Sequence, residues 1–184
     1  MKKVAIHSLG CKVNSYEAES MEIMLRDEGY EIVPFSEDVQ ADIYIINTCS
    51  VTNIADRKSR QMLRRVKELN SKSIVVACGC YAQVAKKELE KIKEIDLILG
   101  NNEKGEIVEH VEDYIKNQEK INIEDVMQQR EFVDFGNVTY TEKTRAVIKV
   151  QDGCDRFCSY CIIPYARGRV RSRKPENVLA EIRK

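Results

Sequence analysis

Short apolar runs alternate with amphipathic stretches over the first part of the sequence, and this alternation constrains the fold more than any other feature. The apolar runs have the length of strands, and the stretches between them repeat apolar residues at helical spacing. Strands are predicted at residues 4–6, 32–33, 42–47, 73–78 and 96–99, and helices at residues 15–28, 54–69, 82–92 and 104–116. Near-continuous apolar strands separated by helices form parallel sheets that are covered on both faces. Residues 1–118 are therefore predicted to form one α/β domain with a doubly wound parallel sheet.

Polar residues beside two of these helices indicate where each helix begins. Asn14 precedes the first helix and Glu17 follows three residues later, which is the spacing of a capping box. Gly29 is expected to end the same helix, because glycine readily adopts the left-handed conformation that closes helices. Asn53 is the expected cap of the second helix.

The last part of the chain predicts a second, incomplete domain. Residues 119–143 are polar and show no strong period, so they are predicted to be a linker. A new strand is predicted from Arg145 through residue 150, followed by a cysteine-rich loop and a helix that begins after Pro175. Residues 144–184 would thus begin a βα barrel. One strand, one loop and one helix are too few to enclose a core, so either the chain is a fragment or a partner supplies the rest.

Cysteine is frequent, with seven residues among 184, but the count is odd and the N-terminus lacks the cleavage site of a secretion signal. Both observations argue against a disulfide framework and favour metal binding or redox chemistry in the cytoplasm. Lys plus Arg and Asp plus Glu number 30 each, so the net charge indicates no partner. No run approaches the roughly 18 apolar residues of a membrane helix, so no membrane association is expected.

Cys154, Cys158 and Cys161 form the motif CxxxCxxC directly after the last predicted strand. Three thiolates in so short a segment can hold one inorganic core. A structural zinc site normally takes four protein ligands, whereas three cysteines can hold a 4Fe-4S cluster and leave one iron open to another ligand. This arrangement is typical of radical S-adenosylmethionine enzymes, and a zinc site is the alternative.

Three further cysteines, Cys11, Cys49 and Cys80, each follow a predicted strand. The carboxyl ends of parallel strands share one edge of a sheet, where ligands bind. The fold therefore predicts that these thiols converge, again one short of a complete set of cluster ligands. The alternative is three buried cysteines without a ligand role, since cysteine is often a small core residue. Cys78 lies within its strand and is predicted to belong to the core.

With these residues in view, the chain resembles the methylthiotransferases, radical enzymes that replace a C–H bond by C–S–CH3. The resemblance covers essentially the whole chain. The motifs that carry it are SLGCKVNSYEAE at residues 8–19, NTCSVTNIADRKSRQ at residues 47–61, GCYAQ at residues 79–83 and GCDRFCSYCIIPYARGRVRSR at residues 153–173.

The resemblance implies two 4Fe-4S clusters, one on Cys11, Cys49 and Cys80, and one on the CxxxCxxC cysteines. The second cluster would bind and cleave S-adenosylmethionine, and the first would deliver the sulfur. It further implies a tRNA substrate and an electron donor protein, and leaves the oligomeric state unknown. Members of the family continue through a radical barrel and usually a small β-rich RNA-binding domain, so these 184 residues alone are not expected to turn over.

Branches of the family differ after the first cysteine. The ribosomal-protein branch typically has proline after this cysteine, where this chain has Lys12. Together with residues 55–60, this segment most resembles the branch that modifies threonylcarbamoyladenosine next to the anticodon of tRNA. The alternatives are methylthiolation of a ribosomal protein or of isopentenyladenosine in tRNA, and a non-catalytic iron–sulfur or zinc module.

Two basic segments allow two interpretations each. The run RGRVRSRK at residues 167–174 could contact phosphate, or its arginines could pair with acids in the part of the barrel that lies outside this sequence. The second predicted helix could present a solvated basic surface or contact RNA. Its cations are Arg57, Lys58, Arg60, Arg64, Arg65 and Lys67.

Overall fold

A computed structural model describes residues 1–136, 138 and 146–184. Its centre is a parallel sheet of six strands in the order β2-β1-β3-β4-β5-β6. The strands are β1 (Lys3–Ser8), β2 (Glu31–Ile32), β3 (Ile43–Thr48), β4 (Ile74–Gly79), β5 (Leu97–Leu99) and β6 (Ile121–Asn122). The helices that connect them are α1 (Lys12–Asp27), α2 (Asn53–Leu69), α3 (Cys80–Val84), α4 (Lys86–Leu89) and α5 (Ile107–Asn117), with a 3-10 helix at Glu103–Glu106.

Apolar clusters cover both faces of this sheet. On one face α2, α3 and α4 pack on the strands, with Leu63 and Leu89 fully buried. On the other face α1 and α5 pack, with Met21 and Val111 fully buried. The sequence-based prediction of a doubly wound α/β domain is confirmed, because helices from successive crossovers lie on opposite faces.

The strand order places a ligand-binding crevice at one particular edge. The order reverses at β1, so the chain turns outward in opposite directions after β1 and after β3. In such sheets ligands bind at this switch point, outside the carboxyl ends of the strands. Pairing of Ser8 with Asn47, and of Thr48 with Gly79, brings the ends of β1, β3 and β4 level with one another.

The structure corrects several predicted helix ends. Helix α1 begins three residues before the predicted start, with Cys11 as its N-cap and no side-chain cap bond, so Asn14 is not a cap. Helix α2 is capped by Thr52, whose side chain accepts a hydrogen bond from the Ala55 amide, and not by Asn53. The predicted helix at residues 82–92 is instead two short helices, α3 and α4. Gly29 does adopt a positive φ, of 85°, after α1.

The C-terminal segment differs more from its prediction. Residues 146–150 belong to no strand. Residues 144 and 145 of the predicted second domain, and residues 137 and 139–143 of the predicted linker, lie outside the described residues. The regular elements are β7 (Gln151–Asp152), α6 (Ile163–Arg167), β8 (Arg171–Ser172) and α7 (Pro175–Arg183). Strands β7 and β8 pair antiparallel, so the described residues do not contain the predicted start of a parallel barrel. Within the described ranges, no helix is long and apolar enough to cross a membrane.

Candidate metal centre

Cys11, Cys49 and Cys80 lie at the carboxyl ends of β1, β3 and β4. Cys49 follows Thr48 and Cys80 follows Gly79, and since Thr48 and Gly79 are paired in register, the two cysteines stand side by side. Both are buried, whereas Cys11 is exposed at the start of α1. None of the three forms a disulfide.

The electrostatic environment of Cys49 depends on both other cysteines. Burial raises the pKa of the Cys49 thiol, and the nearby Cys80 and Cys11 raise it further when they are charged. A hydrogen bond from the Val51 backbone and the positive charge of Arg167 act in the opposite direction. The charges of Cys80, Cys11 and Arg167 thus all influence the Cys49 thiol at this edge of the sheet.

The backbone around Cys80 requires glycine at the preceding residue. Gly79 has φ 95° and ψ −164°, a region of backbone space that is essentially restricted to glycine. A Cβ atom at this position would stand 2.5 Å from Asn47 Oδ1 and 2.6 Å from the Thr48 carbonyl oxygen. The turn thereby brings Cys80 close to the end of β3.

Asn14 and Asn47 join the start of α1 to the end of β3. The Asn14 amide donates to the Thr48 carbonyl, and the Asn47 amide donates to the Asn14 carbonyl, each over 2.9 Å. Both side chains are fully buried. A Cβ atom on Gly10 would lie 2.4 Å from Asn14 Nδ2, so the loop that carries Cys11 also packs tightly on this pair.

Asn101 links Cys80 to the C-terminal segment. Its Nδ2 atom donates to the Ala166 carbonyl over 2.6 Å and lies 3.6 Å from Cys80 Sγ, within hydrogen-bond reach of sulfur. The residue is 3% exposed. One amide group thus contacts both a strand-end cysteine and α6.

The CxxxCxxC loop lies between β7 and α6. The Cys154 amide donates to the Gly168 carbonyl over 3.0 Å, and the Cys161 amide donates to the Cys158 carbonyl over 2.9 Å. Cys154 and Cys161 are partly exposed and Cys158 is exposed, and none is in a disulfide. Phe157 adopts a positive φ of 48°, which turns the chain sharply between the cysteines.

A buried ion cluster connects the C-terminal segment to α1. The Glu17 carboxylate is fully buried and accepts hydrogen bonds from three cations, Lys104, Lys149 and Arg167. Lys149 Nζ and Arg167 Nη1 also bind Asp152, over 2.7 and 3.0 Å. Because Lys149, Asp152 and Arg167 flank the cysteine motif in sequence, the cluster fixes this motif against the first domain.

Opposing effects set the pKa values in this ion cluster. Burial alone would raise the pKa of Glu17, but Arg167, followed by Lys104 and Lys149, outweighs it and holds that pKa well below its usual range. Burial would lower the pKa of Arg167, yet Glu17, Cys80 in its thiolate form, and Asp152 together raise it well above its usual range. Both groups are therefore ionised at neutral pH.

The cluster contains more positive than negative charge. Four buried cations, Lys104, Lys149, Arg167 and Arg171, face two carboxylates, those of Glu17 and Asp152. Arg171 lies 4.0 Å from Asp152, and its Nε atom has no hydrogen-bond partner among the described residues. Buried charge without compensation is costly, so an anionic group beside Arg167 would relieve this imbalance.

The donor set fits an anionic iron–sulfur cluster. Three free thiols at one mouth supply the thiolate ligands that such clusters take, and the neighbouring excess of cations suits the negative charge that three thiolates bring. No group of three or more His, Cys, Asp or Glu side chains in the described ranges lies close enough to hold a single metal ion. A four-iron cluster differs from a single ion, because each thiolate binds a different iron.

The arginines of the run at residues 167–174 lie mostly inside the protein. Arg167, Arg171 and Arg173 are each at most 5% exposed. Arg173 pairs with Asp134 and Glu181, so the run does pair with acids. These acids belong to the described residues and not to a part of the barrel outside this sequence, which corrects that half of the prediction. Arg169 differs, since it is half-exposed and pairs with Asp155.

The sequence alone does not reveal the central role of Glu17. The helix-capping interpretation accounted for this carboxylate, so nothing marked it as buried. A signal was nevertheless present, because Glu17 lies four residues before Met21 and three after Asn14, on the stripe of α1 that faces the sheet. A carboxylate on an inward helical stripe requires cationic partners. Asn101 and Lys104, in the loop and 3-10 helix after β5, carried no comparable signal.

The chain is similar to known proteins in two ways: it matches one family model, and it aligns with individual relatives. The model of a family described as "Uncharacterized protein family UPF0004" matches residues 3–100, which include all the strand-end cysteines. A threonylcarbamoyladenosine tRNA methylthiotransferase, MtaB, of Aquifex aeolicus is 43% identical over 182 residues, and the MtaB of Bacillus subtilis is 40% identical over 182 residues. A tRNA-2-methylthio-N(6)-dimethylallyladenosine synthase of Shouchella clausii is 35% identical over 188 residues.

These matches cover most of this chain and less than half of each relative. The Aquifex alignment takes in 98% of the chain and 44% of the relative, the Bacillus alignment 98% and 40%, and the Shouchella alignment 99% and 36%. The resemblance drawn from the motifs is confirmed, since the relatives are methylthiotransferases. The activity of a whole relative is a property of a longer protein.

Proposed function

The chain belongs to the protein family UPF0004, and from this membership we propose that it is part of a tRNA methylthiotransferase. The proposed substrate is threonylcarbamoyladenosine, the nucleoside named in the descriptions of the Aquifex aeolicus and Bacillus subtilis relatives. The proposed product carries a methylthio group on carbon 2 of the adenine ring. The protein would act in the cytoplasm, with tRNA and an electron donor protein as partners.

We propose that each set of three cysteines holds one 4Fe-4S cluster. Cys11, Cys49 and Cys80 form one ligand set; the other, which would also bind S-adenosylmethionine, is Cys154, Cys158 and Cys161. When bound, these groups would supply the radical that activates the C–H bond and the methylthio group that replaces the hydrogen. Under this proposal the chain divides into an α/β domain at residues 1–118, a linker at residues 119–143 and the beginning of a radical domain at residues 144–184.

The chain's own residues contribute positioning and charge. Glu17 and Asp152 bind Arg167 and Lys149, so the segment that carries the CxxxCxxC motif is docked on α1. The excess of buried cations favours an anionic group at the strand ends. Asn101 can donate a hydrogen bond to the Cys80 sulfur when that sulfur is a ligand. Catalysis here depends on placing two reacting groups close together.

One observation supports this proposal most directly. Arg167, which follows the CxxxCxxC motif, donates to Asn14 Oδ1 over 2.7 Å beside the Cys11 loop. Asn101 Nδ2 donates to the carbonyl of the preceding Ala166 over 2.6 Å and lies 3.6 Å from Cys80 Sγ. The two cysteine sets therefore belong to one packed assembly.

Iron and sulfide analysis of two triple variants tests the ligand assignment. The full-length protein is reconstituted without oxygen, in wild-type form and with Cys11, Cys49 and Cys80, or Cys154, Cys158 and Cys161, changed to Ala. About eight irons per chain are expected in the wild type and about four in each variant. Stoichiometric zinc without iron would contradict the proposal, and would favour the non-catalytic zinc module.

The substrate is tested by nucleoside analysis of tRNA. Cells that lack the gene should lose methylthio-threonylcarbamoyladenosine, and the wild-type gene should restore it where either triple variant does not. A second candidate substrate is dimethylallyladenosine, which the Shouchella clausii relative names. Loss of the methylthio form of that nucleoside instead would favour the second candidate. Unchanged tRNA would overturn both.

A further inference from the structure

Helix α2 presents a face of cations that the fold does not use for packing. The face that packs on the sheet carries Ser59, Leu63 and Val66, which are fully buried. Arg57, Gln61 and Arg64 lie on the opposite face at helical spacing, and together with Arg60, Arg65 and Glu68 they line an open groove. Resting on the proposed function, we propose that this outward face of α2 binds the phosphate backbone of the RNA substrate.

Part of this cationic face is already committed to the protein, and part is available. Arg60 donates to the Tyr81 hydroxyl over 2.6 Å and lies 3.5 Å from Glu88, and Arg65 pairs with Glu37. Three exposed cations of α2 have no ion pair within the described part of the chain; they are Arg57, Lys58 and Arg64. Exposed guanidinium groups without partners are suited to phosphate, which they bind in a bidentate manner.

The position of α2 connects this face to the cysteine edge. The helix begins shortly after Cys49, so its first turn lies at the mouth of the sheet. Arg60 is bound to Tyr81, the residue that follows Cys80, and its guanidinium lies 5.6 Å from the centre of the tyrosine ring. RNA whose base reaches the cysteines would therefore pass this helix. Arg57 and Arg64 are separated by about 10 Å along the helix axis, which allows contact with more than one phosphate.

A second groove of the domain carries negative charge, which favours α2 as the surface that binds RNA. That groove lies at the 3-10 helix before α5 and is lined mainly by acids and amides. Its carboxylates include Glu103, Glu106, Glu124, Glu131 and Asp134. Phosphate would be repelled there. The chain has no net charge, yet its surface separates a cationic face from an anionic one, and RNA is steered to the former.

Salt-dependent binding of RNA measures such phosphate contacts. The full-length protein with reconstituted clusters is titrated with an RNA hairpin of anticodon stem-loop sequence over a series of salt concentrations. The Arg57→Gln/Arg64→Gln variant is compared with wild type. Each lost phosphate contact should reduce the slope of log K against log salt by roughly 0.7–0.9, so the double variant should lose about 1.5. Affinity should fall about tenfold, equally for an unrelated hairpin.

A matched control removes two exposed lysines elsewhere. Lys91→Gln/Lys93→Gln changes the same net charge in the turn before β5, at the edge of the sheet opposite the cysteines. This control should leave the salt slope unchanged, and both double variants should keep the wild-type iron content. An unchanged salt slope in the Arg57→Gln/Arg64→Gln variant, or an equal change in the lysine control, would overturn this inference. The proposed function would still stand if the wild-type protein modified tRNA. A wild-type protein that binds no RNA hairpin would overturn both.

Discussion

Arg167 and Glu17 are 150 residues apart in the sequence and meet through two parallel hydrogen bonds. Arg167 Nη1 lies 2.8 Å from Glu17 Oε1, and Nη2 lies 3.1 Å from Oε2. The same guanidinium donates to Asn14 Oδ1 over 2.7 Å. A bidentate pair of this kind fixes direction as well as distance, so α6 and α1 are held in one defined orientation beside the cysteines.

Removing the carboxylate of this pair should be strongly destabilising. Glu17→Gln leaves three buried cations, those of Lys104, Lys149 and Arg167, without their common acceptor charge. The free energy of unfolding should fall by about 3–5 kcal/mol, the usual effect of breaking a buried ion pair. Urea unfolding followed by far-ultraviolet circular dichroism is the suitable measurement, because the chain has no tryptophan.

The control for this change is Glu28→Gln, at the exposed end of the same helix. It should change the free energy of unfolding by no more than about 0.5 kcal/mol. The double variant Glu17→Gln/Arg167→Met should lose less than the sum of its single changes, since the two residues are in contact. Additive losses would show that the pair contributes no specific coupling.

Acid should weaken the same junction. The pKa values of Glu17 and Asp152 are both lowered in the folded protein, because Arg167 and Lys149 outweigh the effect of burial. Stability from a carboxyl with a lowered pKa is complete above its unfolded value, near 4, and is lost as the pH falls through the folded value. Unfolding of metal-free protein should therefore require less urea as the pH falls from about 5. Glu17→Gln should show a shallower dependence, and an identical pH profile would exclude Glu17 as a source.

Much of the cysteine edge could be predicted, because it follows from topology. Once the strands are parallel, Cys49 and Cys80 must end at the same edge, and no side-chain detail is needed. The placement of Cys78 in the core is likewise confirmed, since it is fully buried within β4. Its thiol lies 3.7 Å from the Ile46 carbonyl oxygen.

The ionic junction could not be predicted, because it depends on contacts between distant parts of the chain. Asn14 and Glu17 have the spacing of a capping box, yet packing against the sheet stabilises α1 without a side-chain cap. The helix therefore starts earlier, and both residues turn inward. Lys149 lies in a segment predicted to be a strand, which instead runs irregularly to reach Glu17. Local propensity does not encode such a partner.

Gly79→Ala should disrupt the centre at the strand ends. The new Cβ would approach Asn47 Oδ1 and the Thr48 carbonyl oxygen within 2.6 Å, and the backbone conformation itself would cost about 1–3 kcal/mol. Reconstituted protein should lose about half of its iron, with the cluster on the CxxxCxxC cysteines retained. Iron analysis and electron paramagnetic resonance measure this loss.

Gly29→Ala is the matched control for that change. Gly29 also has a positive φ, of 85°, but a Cβ atom there would meet nothing within 4 Å. It should cost about 1 kcal/mol of stability through backbone strain and leave the iron content unchanged. Equal loss of iron in both variants would mean that general instability, and not the geometry at Cys80, causes the effect.

Asn101→Ala should change the reduction potential of one cluster only. Hydrogen bonds to cluster sulfurs tune this potential, and the Asn101 amide lies 3.6 Å from Cys80 Sγ. A donated bond stabilises the more negative, reduced form, so its removal should lower the midpoint potential of the cluster on Cys11, Cys49 and Cys80. The cluster on the CxxxCxxC cysteines serves as an internal control in a redox titration. Equal shifts in both potentials would contradict a local effect of Asn101.

Cys78→Ala and Cys80→Ala should separate a core cysteine from a ligand two residues away. Cys78 is fully buried inside β4, where its thiol lies 3.7 Å from the Ile46 carbonyl oxygen and burial raises its pKa to about 12, so it belongs to the core and not to the mouth at the strand ends. Cys80 lies past the end of β4, beside the end of β3 that precedes Cys49. Cys78→Ala should keep the wild-type content of iron and sulfide and lose about 1 kcal/mol of stability through a small cavity. Cys80→Ala should lose about half of the iron, the share of one of two equal clusters. Because both variants remove one thiol from neighbouring positions, a similar loss of iron in Cys78→Ala would show that the assignment of Cys80 as the third ligand is wrong.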